Sequence, residues 1–232
     1  MYSDSKLYLV GAPLDEEATF TEEAKVLLQQ CTLIFAECKK VFEKQSKRSQ
    51  LSLLEKEIIY LDNLKEYKEI EKLVASGKHT LIALLSDTGM PVLFDPGAEI
   101  LKICRKLRFS IHSIPTATSW ATAACLSGFQ PPFLLLGFLP QEKESRKAKL
   151  HALKTASGHK IIMETPYRYG ALLSEIKETF GEKTPLFLAW EIASPNAFNF
   201  WGSVTELINI SESNNLKKGE FVLILEDVRI RS

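Results

Sequence analysis

Residues 81–97 of the 232-residue chain read LIALLSDTGMPVLFDPG. The first five side chains are all apolar, which is typical of a strand that is covered on both faces of a sheet. A polar turn follows at once, and the pattern then predicts a helix over residues 98–106 and a strand over residues 110–114. Strand, helix and strand in this order form the repeating unit of a parallel α/β sheet.

The same alternation continues in both directions along the chain. Short apolar runs predict strands at residues 6–11, 32–37, 58–61, 79–86, 110–114, 133–136, 160–164, 186–192, 198–202 and 220–226. Helical patterns between them predict helices at residues 21–30, 38–47, 64–76, 98–106, 117–127, 145–157, 166–179 and 205–210. We therefore expect an α/β fold in which most strands pair in parallel.

The second half of the chain differs from the first in one connection. Only residues 193–197 separate the strands predicted at 186–192 and 198–202, which is too few for a crossover helix and predicts an antiparallel hairpin. With a boundary near Pro115, we expect two α/β domains: residues 1–115 with a mostly parallel sheet, and residues 116–232 with a mixed sheet.

Composition excludes several classes of protein. Hydrophobic residues make up 45% and charged residues 25%, which are ordinary globular values, so collagen-like, disordered and coiled-coil chains are excluded. Lys plus Arg and Asp plus Glu both number 29, so the formal net charge is +0 and any nucleic-acid contact must come from a local patch. Residues 39–48 (KKVFEKQSKR) form such a basic patch.

The cysteines, histidines and apolar runs indicate a reduced cytoplasmic protein. The four cysteines include no C-x-x-C pair, and their apolar neighbours predict that Cys31 and Cys125 are buried. The histidine spacing matches no zinc site, so no metal is expected. The N-terminus does not resemble a signal peptide, and no apolar run reaches the length of a membrane span.

Ligands of open α/β sheets bind beyond the carboxyl ends of the strands, so the residues after each strand are the candidate site. After the fourth strand come Ser86, Asp87, Thr88 and Gly89, and further on Asp95 and Pro96 predict a helix N-cap followed by proline at the first helical position. The loop at residues 11–15 holds one glycine, so it matches neither a P-loop nor a dinucleotide fingerprint.

Two later junctions also carry polar groups. The hydroxyls of Thr116, Thr118 and Ser119 stand at the start of a helix of small residues. After the seventh strand Thr165 and Pro166 predict a helix start, with Arg168 in its first turn. A cation is unfavourable there, which indicates an anionic partner, either Glu164 or a ligand.

Together these junctions resemble the tetrapyrrole (corrin/porphyrin) methylase superfamily, and within it the branch of the small-subunit ribosomal RNA (cytidine-2′-O)-methyltransferases. The resemblance runs from about residue 7 to residue 226. Residues 83–97 carry it most specifically, since the branch typically shows SDAGTPxxxDPG there. Further matches in the same order are GFLP at residues 137–140, ETPYR at 164–168, FWG at 200–202 and KGEFVL at 218–223.

The resemblance implies two α/β lobes with S-adenosylmethionine in a cleft between them, usually in a homodimer. The cofactor-binding positions that it implies are Pro13, Ser86, Asp87, Gly89, Val92, Leu93, Thr118, Ser119, Met163 and Glu164. The substrate candidates are Lys39, Lys40 and Arg168. A carboxylate is the expected base for an alcohol acceptor, and Glu37, Asp87 and Glu191, which all follow strands, are its candidates.

Three segments depart from the branch. Its first loop resembles TPIGNLGD, where this chain has APLDEE at residues 12–17. Where the branch has EDTR after its second strand, this chain has Glu37-Cys38-Lys39-Lys40. Where the branch has the glycine of a PGPSA motif, this chain has Thr116. The cofactor side of the resemblance is therefore better supported than the RNA side.

Three functions remain open from the sequence. The first is 2′-O-methylation of small-subunit ribosomal RNA or a related RNA, with phosphates held by the basic patch. The second is methylation of a small molecule such as a tetrapyrrole precursor, with an acidic substrate near Arg168. The third is a non-catalytic module that binds S-adenosylmethionine, in which Thr116 and the acidic first loop narrow the acceptor site.

Overall fold

The N-terminal half of the chain builds a five-stranded parallel sheet. The computed structural model describes residues 4–15, 17–62, 66–214, 216 and 218–230. The strand order is β3-β2-β4-β1-β5, and every pair is parallel. The strands are β1 (Lys6–Val10), β2 (Leu33–Ala36), β3 (Glu57–Tyr60), β4 (Leu81–Leu85) and β5 (Ser110–Ile114).

Helices cover both faces of this sheet. They are α1 (Glu22–Gln30), α2 (Lys39–Arg48), α3 (Tyr67–Ala75) and α4 (Ala98–Lys106). Along β4, Ala83 and Leu85 belong to the core cluster that α1 and α2 share, while Ile82 and Leu84 belong to the cluster of α3 and α4. Burial on both faces explains the unbroken apolar sequence of β4 and confirms the doubly covered strand.

The C-terminal half builds a second, mixed sheet in the order β6-β7-β10-β8-β9. Only β6 and β7 pair in parallel. The strands are β6 (Phe133–Phe138), β7 (His159–Glu164), β8 (Pro185–Trp190), β9 (Phe198–Ser203) and β10 (Phe221–Leu225). The antiparallel pairing of β8 with β9 confirms the predicted hairpin.

One face of the second sheet packs against three helices and the other against one. Side chains of α6 (Lys143–Leu153), α7 (Tyr169–Phe180) and α8 (Val204–Ser213) share the larger core cluster. The opposite face packs against Ala123 of α5 (Ser119–Ser127). By contacts, the chain divides into two units, Met1–Thr118 and Ser119–Ser232. Within the described ranges no helix is long and apolar enough to cross a membrane.

Two local expectations are wrong. Asp95 does not cap α4: the helix starts after Gly97, whose φ of +123° suits glycine, and Asp95 turns its half-buried side chain towards Ser86 and Glu37. Cys125 is exposed rather than buried, because α5 turns Ala123 towards the sheet and Cys125, two residues on, lies on the other side of the helix. Cys31 is buried as expected, and all four cysteines are free thiols.

Most helix boundaries lie within three residues of their predicted positions. The larger shift is the end of α6, which is Leu153 instead of residue 157; its start is fixed by Glu142, whose carboxylate accepts from the amides of Glu144 and Ser145. Leu64, where the third helix was predicted to begin, and Glu16 of the first loop lie outside the described residues.

Candidate functional site

The loop between β4 and α4 is held at Asp87 by residues that follow β2. The amide of Asp87 donates to Glu37 Oε2 at 2.9 Å, and Gln45 Nε2 donates to the Asp87 carbonyl at 2.8 Å. The Asp87 carboxylate in turn accepts from the amide of Cys38 at 3.2 Å. Both main-chain groups and the side chain of Asp87 are therefore fixed by α2 and by the two residues that precede it.

The same loop is tied to the residues after β1 through Gly89. Ala12 and Gly89 exchange two main-chain hydrogen bonds of 2.8 and 3.0 Å in an isolated antiparallel bridge. Gly89 has a φ of +70°, which glycine adopts without strain. A Cβ there would make ordinary van der Waals contacts with Leu14 at 3.7 Å and with the Ala117 carbonyl at 3.8 Å, so the positive φ, and not a lack of space, favours glycine.

The residues after β5 approach the same edge of the sheet. A Cβ on Gly11 would lie 2.5 Å from Thr116 Cγ2, so no side chain larger than hydrogen fits between them. The segments after β1, β2, β4 and β5 therefore converge, as the parallel sheet predicted. Pro13 is half-buried in this group, and Ser86 is buried and donates to the Thr88 carbonyl at 3.0 Å.

The backbone beyond Gly89 is strained. Val92 and Phe94 have φ values of +81° and +70°, although neither is glycine. Such conformations cost about 1–3 kcal/mol each and cluster at ligand sites. Leu93 between them is 48% exposed. A strained loop with an apolar side chain in solvent has the features of a ligand-binding segment.

The edge of this sheet is acidic. Burial, followed by repulsion from Glu37, raises the pKa of Asp87 to about 6. The pKa of Asp95 is raised to about 6 by the same two causes in the same order. Both carboxyl groups therefore titrate near neutral pH, and a bound cation would favour their ionised forms. Within the described residues no cluster suited to a metal ion exists.

The second sheet presents its own polar edge, where β6, β7 and β8 end. Phe221 at the start of β10 pairs with both Glu164 and Trp190, which places the ends of β7 and β8 on one edge. Met163 and Glu164 close β7 there. Glu191 directly follows β8, has a φ of +47°, and accepts from Ser194 Oγ at 3.2 Å.

Glu164 is buried, and only one of its two carboxylate oxygens accepts hydrogen bonds from described residues. Its Oε1 accepts from the Thr165 amide at 2.7 Å and from Arg168 Nη2 at 2.6 Å. Its Oε2 is fully shielded from solvent and finds no hydrogen-bond donor among the described residues. A buried acceptor without a donor costs about 1–3 kcal/mol, which a ligand carrying an N–H or O–H group would recover.

The remaining predicted residues lie apart from these contacts or have protein partners. Arg168 pairs with Glu164, which is one of the two partners expected for it. Lys39 and Lys40 are exposed at the start of α2, and Lys39 lies 3.8 Å from Glu43. Thr118 ends the first unit and Ser119 begins α5.

The sequence analysis missed two contributions to the first edge. It did not single out Gln45, and it interpreted Asp95 as a helix cap and not as part of the acidic cluster. Gln45 is 4% exposed and follows the buried Phe42 by three positions on α2. A polar residue in phase with an apolar helical face was the signal that could have found it. Asp95 carried no such signal, because its sequence context is that of a helix cap.

The residues present fit S-adenosylmethionine. This molecule carries a sulfonium cation and an ammonium group together with amine and hydroxyl donors. In the first unit, the acidic edge with Glu37, Asp87 and Asp95 suits positive charge. In the second unit, the unpaired Oε2 of Glu164 suits a hydrogen-bond donor.

Curated relatives cover nearly the whole chain. Three proteins named "Ribosomal RNA small subunit methyltransferase I" are 31%, 32% and 30% identical over 95% of this chain. They come from Pasteurella multocida, Bacillus subtilis and Thermotoga maritima, and the alignments cover 78%, 74% and 97% of their lengths.

Solved structures show the same fold at lower identity. A cobalt precorrin-4 methyltransferase of cobalamin biosynthesis superposes with a TM-score of 0.66 at 16% identity, over 95% of both chains. A uroporphyrin-III-C-methyltransferase from Thermus thermophilus gives 0.60 at 18%, over 95% of this chain and 94% of the other. The family model of the Tetrapyrrole (Corrin/Porphyrin) Methylases matches residues 6–208. The chain therefore belongs to the tetrapyrrole (corrin/porphyrin) methylase family and is an S-adenosylmethionine-dependent methyltransferase.

Proposed function

We propose that this protein methylates a ribose 2′-oxygen in the RNA of the small ribosomal subunit. The observation that carries the proposal is the identity of 30–32% over 95% of the chain with proteins named as small-subunit ribosomal RNA methyltransferases. The two methyltransferases of solved structure described above are 16% and 18% identical, which supports a shared fold and not a shared substrate.

In this proposal the cofactor-binding positions are those that the family resemblance implies. The implied contacts are Pro13, Ser86, Asp87, Gly89, Val92, Leu93, Thr118, Ser119, Met163 and Glu164. When bound, S-adenosylmethionine supplies a methyl group activated by its sulfonium. The protein contributes orientation and a dry, acidic environment that complements the positive charge.

The acceptor hydroxyl must lose a proton to a base. Glu37, Asp87 and Glu191 are the candidate carboxylates, and we favour Asp87 because its pKa of about 6 is closer to neutral pH than the ordinary value of an aspartate. One carboxylate oxygen of each candidate already accepts a hydrogen bond, from the Cys38 amide in Asp87, from the Asp87 amide in Glu37 and from Ser194 in Glu191, so these contacts do not rank the three.

RNA phosphates would be held by the basic patch on α2. Lys39 and Lys40 are exposed there and directly follow Cys38, whose amide donates to the Asp87 carboxylate. Lys44 and Arg48, further along the helix, both lie within 4 Å of Glu17. Lys39 likewise lies 3.8 Å from Glu43, so the choice of Lys39 and Lys40 rests on their exposure and on their place next to the cofactor loop.

A methyl-transfer assay tests the proposal. Labelled S-adenosylmethionine is offered with undermethylated small subunits in one reaction and with a uroporphyrinogen in another. We expect label in the ribosomal RNA, on a ribose oxygen. Label in the tetrapyrrole alone would contradict an RNA substrate, and cofactor binding without transfer to either would support a non-catalytic module.

Two further properties belong to the same proposal. The family resemblance supports a homodimer, and an RNA substrate in the small ribosomal subunit supports a cytoplasmic location. Sedimentation equilibrium should give twice the chain mass of 26.1 kDa. A single-chain mass at micromolar concentration would contradict the homodimer.

A further inference from the structure

The polar edge of the second sheet also carries two exposed aromatic rings. Tyr167, in the short 3₁₀ turn after β7, is 82% exposed, and Phe138, the last residue of β6, is 47% exposed. Burial of an aromatic ring is among the larger gains in folding, so a ring left in water contributes almost nothing to the stability of the fold. Tyrosine is enriched at interfaces, because its ring is apolar and its hydroxyl is polar.

The two segments that carry these rings are fixed to each other by one arginine. Arg168 donates from Nη1 to the Pro140 carbonyl at 3.3 Å and from Nη2 to Glu164 at 2.6 Å. It therefore links the end of β6 to the turn after β7. Since the positive charge of Arg168 is paired with the buried carboxylate of Glu164, Arg168 is not the main cation for a ligand at this surface.

Lys218 supplies the cation of this surface. Its Nζ lies 5.4 Å from the centre of the Tyr167 ring, in a cation–π contact. Lys218 makes no ion pair with any carboxylate in the described part of the chain. It lies just before β10, whose first residue pairs with Glu164, so it belongs to the same edge.

We propose that Tyr167 is a stacking platform for an unpaired nucleobase near the methylated nucleotide, and that Lys218 contacts the adjacent phosphate. The inference rests on the proposed RNA substrate. Proteins recognise single-stranded RNA by stacking its bases on exposed aromatic side chains beside positive charge. Tyr167 with Lys218 offers both within one contact.

The exposure of Tyr167 favours RNA over a tetrapyrrole as the stacked partner. A small-molecule site buries most of its ligand in a concave pocket. A ring that is 82% exposed encloses nothing, whereas a polymer that runs across the surface needs only one face of the ring.

The test compares Tyr167→Ala with Tyr167→Phe, in transfer to undermethylated small subunits. We expect Tyr167→Ala to raise the KM for subunits about tenfold, since stacking of one base on an aromatic ring changes binding by roughly fivefold to more than a hundredfold. Tyr167→Phe keeps the ring and should keep the KM within about twofold. Neither variant should change the KM for S-adenosylmethionine, and an unchanged melting temperature would show that both are folded.

Two matched controls sharpen the comparison. Leu54→Ala removes a side chain of similar exposure, 81%, from the first unit, and should leave the KM for subunits unchanged. Lys218→Gln should weaken RNA binding more at 50 mM than at 300 mM salt, while Lys72→Gln on α3, at a side chain that is 74% exposed, should not.

Each outcome decides between distinct failures. If the unsubstituted protein transfers methyl groups to subunits and Tyr167→Ala has the same KM, the stacking platform is wrong while the RNA substrate stands. If the unsubstituted protein methylates only a uroporphyrinogen, the proposed function is wrong. A Tyr167→Phe variant as impaired as Tyr167→Ala would overturn stacking in favour of a role for the hydroxyl.

Discussion

Asp87 is held on both sides of its backbone by side chains some forty to fifty positions earlier in the sequence. Glu37 accepts from its amide and Gln45 donates to its carbonyl. A carbonyl at a strand end has no partner in the sheet, so the buried amide of Gln45 takes the place of a strand neighbour. The position of the loop therefore depends on a residue that contacts no cofactor in the proposed scheme.

Replacing Gln45 tests this dependence. Gln45→Leu keeps the size of the side chain but leaves the Asp87 carbonyl without its donor, which should cost about 1–3 kcal/mol of unfolding free energy. We expect weaker binding of S-adenosylmethionine as well, measured by calorimetry. The control is Gln29→Leu at an exposed position of α1. Equal affinity in the two variants would show that Gln45 does not position the loop.

Cofactor binding should also depend on pH through Asp87. Because the pKa of Asp87 is raised to about 6 in the folded protein, folding favours the protonated carboxyl. This contribution to stability is present at acid pH and is lost as the pH rises through about 6. A cationic ligand favours the ionised form, so affinity for S-adenosylmethionine should rise between pH 5 and pH 7.5.

The variant Asp87→Asn separates this effect from general acid sensitivity. Its affinity should be lower at pH 7.5 and should change less with pH, the remaining slope being due to Asp95, whose pKa is also about 6. Asp4→Asn, at an exposed position, should keep the full slope. An unaltered pH profile in Asp87→Asn would place the titrating group elsewhere.

At the level of elements, α6 and α7 are joined by a buried ion pair that also holds the segment after β6. Arg146 binds Glu175 through two contacts of 2.6 Å, and both side chains are at most 10% exposed. The third guanidinium nitrogen donates to the carbonyls of Pro140 and Gln141 at 3.1 and 2.8 Å. Arg146 thus joins α6 to α7 and also hydrogen-bonds the main chain of the segment after β6.

Removing one partner of this pair should be costly. Arg146→Ala leaves the Glu175 carboxylate buried without its partner, and we expect a loss of about 3–5 kcal/mol in urea unfolding. The double variant Arg146→Met with Glu175→Leu should recover part of this loss. Lys147→Ala breaks the more exposed pair with Glu178, 3.4 Å apart, and should cost less than about 1 kcal/mol. Equal losses for Arg146 and Lys147 would contradict the structure.

The sequence predicts elements better than it predicts their ends. The strands follow from short apolar runs, because burial on both faces leaves little room for polar residues. Helix starts depend on individual side chains, and Asp95-Pro96 shows how such a signal misleads: the same aspartate suits a cap or an acidic cluster, and only the packed structure decides between them.

At the level of the whole molecule, the sequence predicted which strand ends converge in the first sheet but not the contacts between them. Parallel strands necessarily bring their carboxyl ends to one edge, so the convergence of residues 11–13, 37–38 and 86–89 was predictable. The hydrogen bonds of Asp87 join residues 42 to 50 positions apart. No local pattern encodes such contacts, because they depend on strand order.

The net charge of the chain sets a limit on how it binds RNA. With 29 basic and 29 acidic residues, attraction must come from local cations such as Lys39 and Lys40 on α2. Binding to single-stranded RNA loses about 0.7 in the slope of log affinity against log salt for each phosphate contact removed. Lys39→Gln with Lys40→Gln should therefore reduce the slope by about 1.4 and weaken binding at low salt.

A matched pair of lysines distinguishes this local effect from a change in total charge. Lys102→Gln with Lys106→Gln on α4 removes the same charge from side chains that pair with Glu99 and Glu71. If only total charge mattered, both double variants would show the same salt slope. A slope that changes for Lys39 and Lys40 alone locates the phosphate contacts next to the loop that Asp87 anchors, since α2 begins at Lys39, directly after the Cys38 amide that holds Asp87.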